Sequence, residues 1–351
     1  MYKTCDKNVN TYQYLGAIHI HTKHSDGSGD INSISKAARK AGLDWIIITD
    51  HNVFDTEEGI YNDVFVIKGE EITPSNDNHY LALGINEFIE PSNDAKINVD
   101  NVRKRGGFGF AAHPNESRTR KNKWKPIVWN NKSVIPDGVE IWNWFSSWGD
   151  NLNDRNIFKL AYSYFFKNKI ISNPSPKTLN WWDELNQKSS KIVPAIGGVD
   201  AHALKVYRYI LPLTVFPYKT CFKTITNVIP LDKPLSNNFD IAKKQILTAI
   251  KNGNNLIINR KICSDIPQID IVNANTIKSF GETIALTDFT YLDIKVHRTA
   301  DIKVILNGKE YATNRMKRCR IPITKEGKYR VEFSYSGRGY AYTNPIQVIE
   351  E

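Results

Sequence analysis

The sequence predicts an irregular α/β barrel followed by a small all-β unit, on three observations. Short apolar runs alternate with helical patterns over the first two-thirds of the chain. In five of those runs a His, Asp or Glu falls at or just past the C-terminal end, where a parallel α/β barrel assembles its active site. After about residue 262 the helical patterns stop and clean apolar/polar alternation begins. At 351 residues the chain exceeds the usual single-domain length of about 100–200, so a large unit (1–262) and a smaller one (263–351) are expected.

Each element has its own justification. "YLGAIHIH" reads as a strand with Ile18 and Ile20 on one side and Ala17, His19 and His21 on the other. "DINSISKAARKAG" reads as a helix capped by Asp30, with Ile31, Ile34, Ala38 and Ala41 on one face and Gly42 closing it. "LDWIIITDHN" is a continuous apolar run, as in a strand buried on both sides. Further strands are expected in "DVFVIKGEEIT", "HYLALGI", "GGFGFAAHP", "GVEIWNW" and "KIVPAIGGVDAH". "HYLALGI" carries its histidine at the start, so it is expected to run against its neighbours or to follow a hairpin. "DIAKKQILTAIKNGN" reads as the last helix. Beyond it, Leu292, Ile294 and Val296 share one face, as do Ile302, Val304 and Leu306. Asn307-Gly308 is a type I′ hairpin signal, and the tail as a whole suggests a small β-sandwich.

Composition excludes some classes. Hydrophobic residues make up 41% and aromatics 11%, which argues against disorder. The net charge of +10 favours acidic partners, although much of the excess is lysine scattered among Asn and Ile. Cys5, Cys221, Cys263 and Cys319 are widely separated, without a CxxC pair, so neither a zinc finger nor a disulfide framework is expected. With no apolar leader and no run of about 18 apolar residues, the expectation is a cytoplasmic protein with no membrane partner.

The polar strand-end residues form one set: His19, His21, Asp26, His51, Glu71, His79, His113, Asp200 and His202. Six of the chain's eight histidines are in it. Imidazole with carboxylate suits Zn, Mn or Fe and is too histidine-rich for Ca or Mg. Nine ligands exceed the needs of one ion, so two or three divalent ions sharing bridging carboxylates are expected. His19 and His21 project to the same side of their strand, as do Asp200 and His202.

"HIHTKHSDGSG", "TDHN", "GEEIT" followed by "HYLALG", "AAHP" and "VDAH" resemble the successive motifs of the PHP (polymerase and histidinol phosphatase) superfamily, above all its branch with Ser-Asp-Gly in the first motif. The resemblance covers roughly residues 14–262, and the tail is similar to the β-domain of PHP members related to carbaryl-hydrolase-like proteins. It implies a distorted (β/α)7 barrel with a trinuclear metal centre. By position His19, His21, Glu71 and Asp200 would hold one ion, Glu71, His79 and His113 a second, and Asp26, His51 and His202 a third. The GxE pattern selects Glu71 over Glu70. Every family ligand is present. The implied chemistry is phosphoester hydrolysis by a metal-bridging hydroxide, with Glu71, Asp200 and His202 acting through the metals.

Substrate contacts are expected at His24, at Arg118 and Arg120 in the basic loop "NESRTRKNKWK", at Arg208 and at Asn143. For His24 and the loop a merely solvated role is an equal or better reading. Trp142, Trp144, Phe145 and Trp148 wall the pocket or pack in the core, the latter for at least two. The expected partner is a small phosphorylated metabolite or nucleotide. A nuclease would need a basic track several phosphates long, which one loop does not supply. Hydrolysis of a carboxylic or carbamic ester on the same metals is a third reading. A non-catalytic binding module is disfavoured, because such modules lose ligands.

Overall fold

The computed structural model describes residues 11–75, 77–117, 125–150, 171, 173–208 and 211–350. The chain begins β1 (Tyr12–Ile20), α1 (Ile31–Lys40), β2 (Trp45–Ile48), β3 (Gly59–Tyr61), β4 (Val64–Lys68), β5 (Glu70–Ile72), β6 (Tyr80–Leu83), α2 (Ala95–Lys104) and β7 (Phe108–Ala111). It continues β8 (Gly138–Asn143), α3 (Trp144–Asp150), α4 (Pro176–Lys188), β9 (Ala195–Ala201), β10 (Lys205–Arg208), β11 (Leu211–Thr214) and α5 (Tyr218–Cys221). Then come β12 (Ile225–Leu231), α6 (Phe239–Lys251) and β13 (Leu256–Asn259). The remainder is strand only: β14 (Gln268–Val272), β15 (Ile277–Lys278), β16 (Thr283–Ala285), β17 (Tyr291–Leu306), β18 (Lys309–Pro322), β19 (Gly327–Tyr335), β20 (Arg338–Thr343) and β21 (Ile346–Ile349).

The fold is mixed α/β with one large sheet. Parallel pairs link β4 to β2, β2 to β1, β1 to β9, β9 to β8 and β8 to β7. β6 is antiparallel to both β7 and β5, as its leading histidine led us to expect. β5 meets the end of β2 again through a bridge between His51 and Glu71. The ladder also leaves β1 through antiparallel β12, β13 and β20 and so enters the C-terminal strands. The expected α/β character is therefore met, in a large mixed sheet that runs on into the C-terminal strands.

Local sequence explains the helices. Asp30 accepts from the Ser33 N–H and Ser33 reaches back to the Asp30 N–H, a reciprocal cap that starts α1 where the glycine-rich loop ends. Ile34 and Ala38 of α1 pack with Ala17, Ile46, Ile48, Val64 and Val66. Ile18, Trp45, Ile47 and Ile67 pack instead with Leu81, Phe110 and α6 residues Ile246 and Ile250. This corrects the expected pairing of Ile18 with Ile20: Ile20 shares a cluster with Ala17, and Ile18 does not. His19 has φ +70°, and the register against β9 slips between Ile18 and Ile20. The extra residue lies on β9, which advances from Gly198 to Ala201 while β1 advances from Ile18 to Ile20, and the left-handed backbone of His19 breaks the alternation within β1.

Two other segmentations differ from expectation. "DVFVIKGEEIT" breaks at Gly69, where a side chain would meet the Ala82 carbonyl oxygen at 2.6 Å. In the tail, two expected strands are the single β17, whose register against β18 shifts between Lys295 and Ala300. Asn307 and Gly308 have φ +47° and +75°, as a type I′ turn requires, and join β17 to β18. The tail strands pack an apolar cluster that includes Leu292, Ile294, Ile302, Val304, Tyr329 and Phe333 together with Val228, Leu256 and Ile258 of β12 and β13. It is tied to α4 by Arg330, which donates from Nε and Nη2 to both oxygens of Asp183 at 2.7 Å. Cys221, Cys263 and Cys319 are buried; Cys5 lies outside the described residues. Among the described residues no helix is long and apolar enough to cross a membrane.

Candidate metal centre

The strand ends bring all nine predicted residues to one place. Glu71, at the middle of β5, is fully buried and faces five imidazoles. Its Oε2 lies 3.1 Å from His19 Nε2, 3.3 Å from His21 Nε2 and 3.1 Å from His51 Nδ1. Its Oε1 lies 2.8 Å from His79 Nδ1 and 3.2 Å from His113 Nε2. Asp200 Oδ1 stands 3.6 Å from His19 Nε2, 3.5 Å from His21 Nε2 and 3.4 Å from His202 Nδ1. Asp26, half exposed on the loop after β1, approaches His202 Nε2 at 3.1 Å and His21 and His51 at 3.8 Å.

Four groups of these side chains offer ligand atoms within 4.8 Å of one another: His21, Asp26, His51 and His202; His19, His113 and Asp200; His19, His21 and Glu71; and His51, Glu71 and His79. A divalent cation fits this donor set. Both ring nitrogens of His21 are buried without a hydrogen-bond partner, a costly arrangement unless its unprotonated nitrogen binds something else. Glu70, the neighbour that alternation turns away, accepts instead from the Ile89 N–H.

Electrostatics follow the packing. Burial works against the charge on Glu71 and Asp200, yet the surrounding imidazoles hold both carboxylates well below their usual range. Burial, with His202 and His51 nearby, pulls His21 down to about 3. His113 is pushed up to about 9: burial opposes its charge, but its hydrogen bond to Glu71 and the charges of Glu116 and Asp200 prevail.

A cavity of about 520 Å³ opens over Asp26, His51, His79, His113, Asp200 and His202. Glu116, Lys125, Ile127, Phe145 and Leu204 complete its wall. Phe145 thus faces the pocket, its ring centroid 5.8 Å from that of His202, while Trp142 and Trp144 are buried in the core. His24 is exposed on the loop and lies apart from this wall. Asn143, expected to contact substrate, is buried and donates from Nδ2 to Glu140 and Asp200 at 3.0 and 3.3 Å. Arg118 and Arg120 lie outside the described residues; Arg208 ends β10 and its side chain is likewise outside them.

Three buried acids escaped the reading of the sequence. Asp50 accepts from the Thr22 N–H and from the hydroxyls of Thr22, Ser25 and Thr56, which fastens the Ser-Asp-Gly loop. Glu116 accepts from Ser146 Oγ and the Ile127 N–H. Glu140 accepts from His19 Nδ1 and the His113 N–H. Asp50 adjoins a ligand inside "TDHN", a signal that was available. Glu140 sits inside an apolar strand with nothing local to mark it.

Residues 17–102 match the PHP domain family. An uncharacterized protein of Methanocaldococcus jannaschii is 27% identical over 117 residues, covering 28% of this chain and 66% of that protein, just short of two thirds of its length. Among solved structures, a Bacteroides vulgatus two-domain protein "containing predicted PHP-like metal-dependent phosphoesterase" aligns over 95% of each chain, with 15% identity and a TM-score of 0.45. PsfC from Pseudomonas syringae aligns over 68% of this chain and 96% of its own, with 12% identity and a TM-score of 0.39.

Proposed function

We propose that this chain is a metal-dependent phosphoesterase acting on a small phosphorylated metabolite or nucleotide. What carries the proposal is Glu71: one buried carboxylate facing five imidazoles suits a ligand that bridges cations. The PHP domain match over residues 17–102 supports the same chemistry. On this reading residues 1–262 are a distorted (β/α)7 PHP barrel of the Ser-Asp-Gly branch, and 263–351 a β-sandwich-like domain packed against it.

His19, His21, Glu71 and Asp200 would hold one ion, Glu71, His79 and His113 a second, and Asp26, His51 and His202 a third, the metals being Mn, Fe or Zn. Divalent ions so placed would acidify a bound water and neutralise the oxygens of a phosphoryl group. The chain's own residues aim that site. Glu71 and Asp200 stay ionised at neutral pH because imidazoles crowd them. Lys125 adds positive charge at the rim for an anionic substrate, and Phe145 offers an apolar wall for its organic part. A cavity of about 520 Å³ suits one small molecule, which favours a metabolite over an oligonucleotide.

The test is a metal-reconstituted hydrolysis screen across phosphomonoesters, nucleotides, short oligonucleotides and carboxyl esters. Asp200→Ala serves as the blank, because it removes a ligand and little core volume. Turnover on a phosphomonoester or nucleotide that vanishes in a folded Asp200→Ala protein is the expected result. Undiminished hydrolysis by that variant, or no metal uptake by the wild type, overturns the proposal.

A further inference from the structure

Three of the candidate ligands share an unusual backbone. His19, His113 and Asp200 form one of the close groups, and they have φ of +70°, +28° and +48°. Residues other than glycine seldom hold such conformations unless neighbours over-determine them. A single buried carboxylate reaches all three, directly or through one amide. Glu140 on β8 is 1% exposed. Its Oε1 accepts from His19 Nδ1 at 2.8 Å. Its Oε2 accepts from the His113 backbone N–H at 2.6 Å and from Asn143 Nδ2 at 3.0 Å. The same Asn143 nitrogen reaches Asp200 Oδ2 at 3.3 Å. Even the space is reserved: a Cβ on Gly198 would lie 1.6 Å from Glu140 Oε1.

We propose that Glu140 is a positioning residue for the metal centre, holding His19 as its Nδ1–H tautomer and clamping the His113 backbone so that both rings present Nε2 to the ions. The inference rests on the metal-site reading above. A carboxylate oxygen accepting from Nδ1 requires the ring proton there, which leaves the Nε2 lone pair for a cation. Outer carboxylates of this kind fix the tautomer and raise the basicity of a ligating imidazole. Glutamine cannot replace it. Two N–H groups approach separate oxygens of Glu140, whereas an amide has one acceptor oxygen and would turn its NH2 toward one of them.

The experiment uses the full chain as wild type, Glu140→Gln and Gly198→Ala, each titrated with Mn²⁺ or Zn²⁺. Gly198→Ala displaces the carboxylate without changing a charge. Ions bound per chain and their affinities are measured, folding is followed by circular dichroism, and the His19 tautomer is read from long-range ¹⁵N–¹H NMR. The expected result is that both variants fold and bind one ion about 10–100-fold more weakly while keeping the rest. In the wild type, His19 should be protonated at Nδ1. Unchanged affinity and stoichiometry in both variants, or a Zn²⁺-loaded wild type in which His19 carries its proton at Nε2 and not at Nδ1, overturns the inference. If neither variant folds, the wild-type tautomer decides. A wild type that takes up no ion sinks the metal reading and this role together, whereas a loaded wild type with indifferent variants sinks this role alone.

Discussion

At the scale of single residues, Glu70 and Glu71 show how one step along a strand changes the chemistry of a side chain. Glu71 is ionised by its ring of imidazoles, while burial pushes Glu70 up to about 7, with Glu90 adding to the effect and the Ile89 N–H opposing it. The folded state therefore holds a proton on Glu70 that an unfolded chain, with a pKa of about 4.3, has released. Between those two values the native state binds more protons, so its stability falls as pH rises from about 4.3 to about 7 and stays lower above that. Glu70→Gln should remove this penalty, which is on the order of 3 kcal/mol. The gain should appear as a higher melting temperature at pH 8 but not at pH 4.5. An identical pH profile in wild type and variant would contradict it.

At the scale of elements, the left-handed turn of β1 at His19 and the cap of α1 bracket the motif "HIHTKHSDGSGD". The left-handed backbone at His19 turns the strand end into the site, and the Asp30 cap pins the other end of the loop to a helix. Between them Asp50 fastens the loop from beneath. Asp30→Ala should cost about 1 kcal/mol, the usual value of such a cap, measured by denaturant unfolding. It should leave metal stoichiometry unchanged, because Asp26 and not Asp30 approaches the histidines. Loss of an ion in that variant would mean that the cap positions Asp26.

At the scale of the whole molecule, a buried ion pair couples the tail to the rest. Arg330 and Asp183 are 5% and 9% exposed, bonded through both guanidinium and carboxylate edges. Arg330 also lies over the Trp182 ring, 5.2 Å from its centroid. Lys328, on the same strand, donates to the carbonyls of Asn186, Ser189 and Lys191 at the end of α4. Arg330→Ala would strand a buried carboxylate and should destabilise the chain by about 3–5 kcal/mol. Arg330→Lys should recover only part of that, since an ammonium cannot make both bonds. Full recovery by lysine in a urea titration would show that charge alone matters there.

Read by itself, the sequence determined the α/β character, the strand-only tail, the cap at Asp30, the Asn307-Gly308 turn and the choice of all nine converging side chains. These are local facts: period-two and helical patterns, turn chemistry, and polar residues placed where apolar runs end. Alternation says only that one of Glu70 and Glu71 faces the histidines; the choice of Glu71 came from the resemblance to the GxE pattern. Only the tertiary structure decided that His19 has a left-handed backbone, that β17 is one strand, that Asn143 is bonded to carboxylates, and that Asp50, Glu116 and Glu140 are buried around the site. Apart from Asp50, which adjoins His51 in "TDHN", none of these has a signature along the chain. Glu140 finds its partners 121 and 27 residues away, and the energy of a buried acid depends on which donors surround it in space.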